Sequence, residues 1–470
     1  MIIVNFPQNT RFIILVLLFF NIFMIDSGVC SDAPTALATK TFTLEEAIDY
    51  ALIHNRTLQS SALGVSSSEL SLQSQTADFE IKIVPVSRIG ISSDEENPWQ
   101  VGATISKQLE FGPNVSVAPR VGESFGETTT DVAFALDVPL LRGAGTEFTM
   151  DGVYSSLFAY QTEQRSFYSQ QENTFLRTVT SVYATIRSGM QIELIRKQLA
   201  RLEEHLALVR IKEKTGVISA LDLYRAEIRI KNVQDELASF QQQHANNVDE
   251  VKNILAIPQS GDITLTAPVD YEPVEIDLED ALQIALDNRI EIEQSERNVY
   301  ERKRLIAIAK NNLLPQLDLR LGYNLFAEED IFELADQSWT VSLNSDTDVF
   351  RTTEKNVYQQ RRNQYRQAQL DEVDQKERIN QEVRSEVNSL EKQQQRIEIQ
   401  KEQVNQTVGK LRLAESKFRY GMADNFDLIE AQTELQEAQT NYLFERINYI
   451  VGTYRLRSVL GTLLARNVEQ

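Results

Sequence analysis

The stretch "FRYGMADNFDLIEAQTELQ" (418–436) interrupts a long helical pattern with a glycine, and a second stretch earlier in the chain does the same. The second stretch is "KEKTGVISALDLYRAEIRI" (212–230). In both, the glycine is followed five residues later by an apolar residue, then Asp and Leu, and three residues further by Ala. Two helices that end in the same manner indicate that one structural unit occurs twice.

A second landmark supports an internal duplication. "LEEAIDYALIHNR" (44–56) resembles "LEDALQIALDNR" (278–289), and each segment precedes its glycine stretch in the same order. The segment "PQSGDITLTAPVDYEPV" (258–274) has three prolines and no helical period, which is typical of a linker. The pattern therefore predicts a first repeat over 31–257, a linker over 258–274 and a second repeat over 275–464.

The N-terminus has the features of a signal peptide. Arg11 precedes the apolar run "FIILVLLFFNIFMI" (12–25), which is too short for a comfortable membrane span. Small residues up to Cys30 precede a cleavage point at Ser31, so residues 1–30 are predicted to be removed. Lipid attachment to Cys30 is the alternative, and the sequence leaves both fates open. The net charge of −21 argues against a nucleic-acid partner.

Seven-residue apolar spacing marks the longest helices. In the second repeat this spacing runs through Val383, Leu390, Ile397, Val404, Leu411 and Phe418. Such a repeat predicts supercoiled helices, and a helix of 65 residues reaches roughly 100 Å. Each repeat is therefore predicted to contain a long antiparallel coiled-coil hairpin, with helices over 150–214 and 219–256 in the first and over 352–418 and 424–464 in the second. A helix of about forty residues is expected to open each repeat, over 42–82 and 277–313.

Alternating apolar and polar residues predict strands between these helices, over about 84–141 and 315–349. The clearest examples are "DVAFALDVPL" (131–140), "LDLRLGYNLF" (317–326) and "SWTVSLNSD" (338–346). This period fits transmembrane barrel strands and also a soluble sheet with one buried face; the signal peptide and the long rods favour the barrel. Because open sheet edges are not tolerated in lipid, a chain with so few strands must share its barrel with others.

The first repeat contains additional residues with the pattern of a further hairpin, over 99–123. Its two halves flank Gly112-Pro113, a turn signal. Lys107 interrupts the apolar face of this hairpin. The sequence does not decide whether the hairpin joins the barrel or caps it.

Taken in this order, the motifs resemble those of the TolC family of trimeric outer-membrane efflux proteins. The resemblance rests on the duplication, "PLLRGAG" (139–145), "LLPQLDL" (313–319) and "YGMADNFDLIEAQTELQEAQTNY" (420–442). It implies a homotrimer in outer-membrane lipid, in which three chains share a twelve-stranded barrel above a long periplasmic α-helical tunnel. The implied partners are a periplasmic adaptor (membrane fusion) protein and an inner-membrane efflux pump or ABC exporter. The implied function is that of a passive exit duct in a tripartite efflux or type I secretion system.

The resemblance assigns the two glycines, Gly216 and Gly421, to the periplasmic tips of the hairpins. A glycine there permits the left-handed backbone that ends a helix. Ser219 and Asp424 are then natural N-caps of the returning helices. The third helical positions that these caps serve are Asp222 and Asp427.

Asp427 and Glu430 are the candidates for a gate. They lie three residues apart, on one helical face, and the resemblance implies that such acidic positions form a cation-favouring ring in a trimer. The alternative for Asp427 is compensation of the helix dipole. The resemblance also implies that Phe418 and Leu221 stand where the family has gate-holding polar residues. A closed tip is therefore expected to be held by other contacts, with apolar packing around these two residues.

The sequence contains no catalytic constellation, and no cofactor or metal site is expected. The three histidines, His54, His205 and His244, lie in helical stretches and are interpreted as surface or seam residues. The alternative to an exit duct is a periplasmic or exported coiled-coil structural protein with a small soluble sheet. The sequence does not specify the cargo.

Overall fold

A computed structural model describes residues 40–90, 99–124, 127–328, 336–420 and 422–465. The predicted signal peptide, Cys30 and Gly421 lie outside the described residues. The helices are α1 (Leu44–His54), α2 (Arg56–Thr76), α3 (Thr146–Thr149), α4 (Asp151–Lys214), α5 (Ala220–Ile254), α6 (Leu278–Asn288), α7 (Ile290–Asn311), α8 (Thr352–Arg419) and α9 (Asn425–Val459). The strands are β1 (Lys40–Thr43), β2 (Lys82–Ile89), β3 (Trp99–Gln108), β4 (Asn114–Ser124), β5 (Glu127–Pro139), β6 (Ile263–Thr266), β7 (Asp318–Glu328) and β8 (Asp336–Asn344).

Each repeat opens with two helices, where the sequence predicted one of about forty residues. Asn55 separates α1 from α2 with extended backbone angles (φ −60°, ψ 125°), and its side chain caps α2 by accepting from the N–H groups of Thr57 and Leu58. Arg289 has nearly the same angles (φ −68°, ψ 123°) between α6 and α7. Periodicity alone missed these breaks, because the apolar spacing continues across a single extended residue.

Two long hairpins dominate the fold. Helix α4 has 64 residues and packs against α5, whereas α8 has 68 residues and packs against α9. Five residues of the predicted seven-residue series are buried where α8 meets its neighbours, namely Val383, Leu390, Ile397, Leu411 and Phe418. At a rise of about 1.5 Å per residue, each of the two long helices reaches roughly 100 Å. In the part of the chain that the structure describes, no helix combines the length and the apolar character needed to cross a membrane.

The predicted linker is partly ordered. Residues of β6 pair in parallel with β1 at the start of the first repeat, from Lys40–Ile263 to Thr43–Thr266. The Tyr183 hydroxyl on α4 donates to the Pro268 carbonyl at 3.0 Å, and the Arg446 guanidinium on α9 donates to the Val269 carbonyl at 2.7 Å. These contacts hold the crossing between the repeats against both hairpins.

The second sheet is antiparallel and contains strands from both repeats. Its order is β2-β3-β4-β5-β7-β8, so β5 of the first repeat pairs directly with β7 of the second. The β3–β4 hairpin, whose place the sequence left open, lies inside this sheet between β2 and β5. Within the described residues, β2 and β8 each have one neighbouring strand.

A buried ion-pair group joins α7 to the start of α4. Arg304 on α7 pairs with Asp151 at the start of α4 (2.6 Å) and with Glu301 one turn earlier (2.7 Å), and it also donates to Ser155. The guanidinium and the Glu301 carboxylate are both about nine-tenths buried. Their hydrogen bonds raise the pKa of Arg304 above its usual range, which outweighs the opposing effect of burial. Removing one partner would leave a buried charge uncompensated.

Candidate functional site at the hairpin tips

The α4–α5 tip is closed by a glycine in the left-handed region. Gly216 has φ of 73°, and the following N–H, of Val217, donates to the Lys212 carbonyl at 2.9 Å. This bond satisfies a carbonyl at the end of α4, as in other helix ends of this kind. Among the described atoms, none would lie within 4 Å of an added Cβ. Backbone conformation, and not crowding, therefore favours glycine at this position.

Side chains cap both returning helices. The Ser219 hydroxyl accepts from the Asp222 N–H at 3.3 Å and donates to the Asp222 carboxylate at 2.7 Å. At the other tip, the Asp424 carboxylate accepts from the Asp427 N–H at 2.9 Å. Arg225 also lies 3.5 Å from the Asp222 carboxylate. The two tips therefore share their capping geometry but differ in charge.

Asp427 and Glu430 are both exposed in the protomer, but only Glu430 has an ion-pair partner among the described residues. Lys410 on α8 lies 3.7 Å from Glu430 and 2.7 Å from Glu434. The hydrogen bond with Glu434, followed by the charges of both carboxylates, raises the pKa of Lys410. The sequence did not predict this lysine. It offsets part of the negative charge that Glu430 would bring to a ring.

The structure does not bring Phe418 and Leu221 together in one apolar cluster. Phe418 is buried in a cluster formed with Val209, Ala226, Leu411, Ala414, Leu428, Ala431 and Leu435. Leu221 is 58% exposed. The predicted apolar packing around both residues is therefore absent from the described part of a single chain. Phe418 instead serves as the centre of a contact between the two hairpins.

Lys212 and His205, both on α4, contact Phe418 on α8. The Lys212 ammonium donates to the Phe418 carbonyl at 2.8 Å and lies 4.0 Å from the centre of its ring, a cation–π distance. The His205 ring packs edge-on against the same ring, with centroids 4.9 Å apart. One aromatic ring thus receives two side chains from the other hairpin.

A hydrogen-bond chain continues from His205 to the first turns of both returning helices. The Nε2 atom of buried His205 bonds to Oδ1 of Asn425, and Nδ2 of Asn425 donates to the Asp222 carbonyl at 2.9 Å. Because the amide nitrogen is already committed to that carbonyl, Oδ1 faces the histidine and Nε2 carries the proton. Nδ1 of His205 is buried and has no hydrogen-bond partner among the described residues.

This environment disfavours the protonated histidine. Burial lowers the pKa of His205, and the nearby Lys212 charge acts in the same direction, whereas the hydrogen bond with Asn425 acts against them. This cluster was not predicted from the sequence, because the three histidines all lie in helical stretches and look alike there. A signal was present, because Gln198, His205 and Lys212 are spaced by seven residues and place polar side chains along one seam of α4.

The sheet is the second feature that bears on function. Cross-strand pairs such as Phe134–Tyr323 and Tyr323–Trp339 place apolar side chains on one face, and pairs such as Asp137–Arg320 place charged ones on the other. Trp339 is 76% exposed. A sheet with an exposed apolar face, joined to helical rods of roughly 100 Å, defines a subunit of an outer-membrane channel with a long α-helical extension.

Comparisons with known proteins agree with this class. Residues 281–462 match the family model described as "Outer membrane efflux protein". The probable efflux pump outer membrane protein TtgC of Pseudomonas putida KT2440 is 21% identical over 431 residues, which cover 89% of this chain and 82% of that protein. The toluene efflux pump outer membrane protein TtgF, from another strain of Pseudomonas putida, is 21% identical over 422 residues, covering 89% and 83%.

Solved structures show the same fold. The outer-membrane channel OprN superposes with a TM-score of 0.71 at 15% identity, covering 89% of this chain and 90% of that one. VceC of Vibrio cholerae superposes with a TM-score of 0.69 at 13% identity, covering 89% and 96%. The resemblance expected from the sequence is confirmed by these comparisons: residues 281–462 match the outer-membrane efflux protein family, and the relatives are outer-membrane proteins of efflux pumps.

Proposed function

We propose that three copies of this chain form the outer-membrane exit duct of a tripartite efflux system. The observation that carries the proposal is the continuity between the apolar-faced sheet and the two helical hairpins. Lipid would cover the apolar face, and the hairpins would extend the duct through the periplasm. Cargo would move passively, because a pump in the inner membrane supplies the energy, and the duct itself would catalyse no reaction.

The state of the sheet edges supports a barrel shared between copies, and the number three is taken from the family resemblance. In the described residues β2 and β8 each leave one edge without a neighbour, and unpaired backbone groups are not tolerated in hydrocarbon. Pairing these edges between copies would satisfy them without any new element. The partners at the other end would be a periplasmic adaptor protein and an inner-membrane efflux pump or ABC exporter.

The hairpin tips are the part of the chain suited to meet the adaptor and to gate the duct. Gly216 and Gly421 would mark these tips, and Asp427 with Glu430 would contribute a ring of carboxylates near the opening. The capping bonds of Ser219 and Asp424 support this placement because they fix the first turns of both returning helices. Such a ring favours cations over anions at the entrance.

Purification and reconstitution test this proposal directly. The protein is expected in the detergent-extracted outer-membrane fraction, and native mass spectrometry should show three chains. Planar bilayers containing the trimer should show single channels. Their conductance should rise when the tip is opened by mutation. A water-soluble monomer with its full strand content would instead support the coiled-coil structural protein and would overturn the duct.

A further inference from the structure

The number of strands in the sheet departs from what the family resemblance implies. Four strands per chain would give twelve in a trimer, and β2, β5, β7 and β8 would supply them. The β3–β4 hairpin brings the described sheet to six strands, because it lies between β2 and β5 as a full member of the ladder.

The two added strands present the same faces as the other four. Residues paired across neighbouring strands lie on one side of a sheet. One row across the whole sheet is apolar and consists of Ile83, Ile105, Val117, Phe134, Tyr323 and Trp339. The adjacent row, on the opposite face, consists of Lys82, Ser106, Ser116, Ala135, Gly322 and Thr340. A β3–β4 hairpin that capped the barrel in water would not need to continue both rows across its two strands.

The added strands also span the full height of the sheet. β3 has 10 residues and β4 has 11, within the length of about 9–11 residues that crosses a bilayer at a tilt. Their connecting turn is fixed at the helical end of the sheet, where the Gly145 N–H donates to the Phe111 carbonyl at 3.1 Å. The β3–β4 hairpin thus begins and ends at the same levels as β5 and β7.

The position of Lys107 agrees with a membrane-spanning hairpin. Lys107 pairs with Val115 on the apolar face, but it is the second-last residue of β3, next to the turn at the helical end. A lysine at that level can extend its ammonium into the headgroup region while its stem stays in contact with apolar surface. The residue that interrupts the apolar pattern therefore lies at the expected membrane boundary.

We propose that the trimer closes a barrel of eighteen strands, with β8 of one copy pairing with β2 of the next. The proposal rests on the trimer proposed above. Neighbouring strands in each chain are antiparallel, so the first and sixth strands run in opposite directions. Each junction between copies would therefore be antiparallel as well, and all edges would be satisfied.

A barrel of this size has a wider lumen than one of twelve strands. With strands about 4.8 Å apart and tilted by about 40°, the backbone diameter is about 24 Å for twelve strands and about 36 Å for eighteen. The cross-section therefore more than doubles. The outer-membrane section would then admit bulky solutes, and selection by size would fall to the helical tips.

Matched cysteine variants test where the hairpin lies. Val117→Cys and Ser116→Cys are neighbours in β4 that belong to opposite faces, and Val341→Cys with Ser342→Cys form the same pair in β8. All four variants carry Cys30→Ser. In liposomes, a water-soluble maleimide should label positions 116 and 342 at least tenfold faster than positions 117 and 341, and fluorophores at 117 and 341 should be quenched by brominated lipid. If positions 116 and 117 were labelled equally fast while position 341 in β8 stayed slow to label, the membrane placement of the hairpin would be overturned.

Electron cryo-microscopy of the protein in nanodiscs gives the strand count and the number of chains together. Three chains with eighteen strands support both proposals. Three chains with twelve strands, and the β3–β4 hairpin outside the barrel, would overturn the eighteen-stranded barrel and leave the exit duct standing. Any number of chains other than three would overturn the trimer and the barrel of this size with it.

Discussion

His205 on α4 and Asn425 on α9 are joined by a hydrogen bond between Nε2 and Oδ1, although 220 residues separate them in the sequence. The bond connects the two hairpins of one chain close to their tips. Asn425 directly follows the N-cap Asp424 and also binds the Asp222 carbonyl. A change at His205 is therefore passed to the first turns of both returning helices.

Lowering the pH should weaken this contact. In the packed arrangement the pKa of His205 is lowered, by burial first and by Lys212 as well, whereas the pKa of an exposed histidine is about 6.5. Separated hairpins therefore bind the proton more tightly. The contact is fully stable above about pH 6.5, weakens below it, and stops weakening below the lowered pKa. Each unit of difference between the two pKa values changes the equilibrium about tenfold.

Charged groups on the neighbouring helices do not remove the cost of protonating His205. Asp222 on α5 is bonded to Ser219 and paired with Arg225. On α9, Asp424 caps the helix and Asp427 is exposed. On α8, the charged neighbours of Phe418 in sequence, Lys417 and Arg419, are exposed. A proton on Nδ1 would therefore add a buried N–H without an acceptor among the described residues.

Spin labels on the two hairpins measure the predicted effect. With Lys214→Cys and Arg419→Cys labelled in a Cys30→Ser background, the distance distribution should broaden between pH 7.5 and pH 5. His205→Gln, which can still donate to Asn425, should abolish this response. The control is His244→Gln, because His244 bonds to Ser188 away from the tip and its loss should leave the response intact. An unchanged distribution in the unsubstituted histidine background would show that the contact does not respond to protons.

The carboxylate ring gives a second prediction, with unequal effects at its two positions. Asp427→Asn should lower cation preference in planar bilayers more than Glu430→Gln does, because Lys410 already offsets the charge of Glu430. Lys410→Gln should raise cation preference. These directions follow from the number of uncompensated carboxylates that a trimer would present. Unchanged selectivity in the Asp427→Asn, Glu430→Gln double variant would leave both residues as parts of a helix terminus only.

How far the sequence predicts these features differs between the rods and the tips. The seven-residue spacing predicted the long helices, because a buried seam must recur along a supercoiled rod, and alternation predicted the strands of the second repeat. The contact between His205 and Asn425 depends on which helices become neighbours, and a local pattern does not contain that information. The place of the β3–β4 hairpin was likewise open until the register with β2 and β5 was seen. Lys410 was missed because its partners lie across a helix pair.

The tip glycine gives a third prediction. Gly216→Val forces a β-branched residue into a backbone with positive φ, at a cost of about 1–2 kcal/mol. Because this cost is small for helices of this length, the trimer should still assemble. Adaptor cross-linking and export should fall, because the tip is distorted. Gly216→Asn is the matched control, because asparagine tolerates this conformation better, and it should keep most of the activity. The same loss is expected for Gly421→Val. Failure of Gly216→Val to insert into the membrane would contradict the tip placement.

Two glycines on the polar face of the sheet provide the fourth prediction. An added Cβ at Gly122 in β4 would lie 2.5 Å from the backbone oxygen of Trp99 in β3, whereas at Gly322 in β7 it would meet Thr340 of β8 no closer than 3.8 Å. If the β3–β4 hairpin is part of the barrel, Gly122→Val must push apart two barrel strands. This should lower the stability of the barrel by an amount on the order of 1–3 kcal/mol. The trimer should then dissociate at a lower temperature on heating in detergent, as followed by gel migration, whereas Gly322→Val should dissociate close to the unsubstituted protein. Equal dissociation temperatures for the two variants would mean that the β3–β4 contact does not support the barrel, because of the two only Gly122 would place a Cβ within 3 Å of a neighbouring backbone atom.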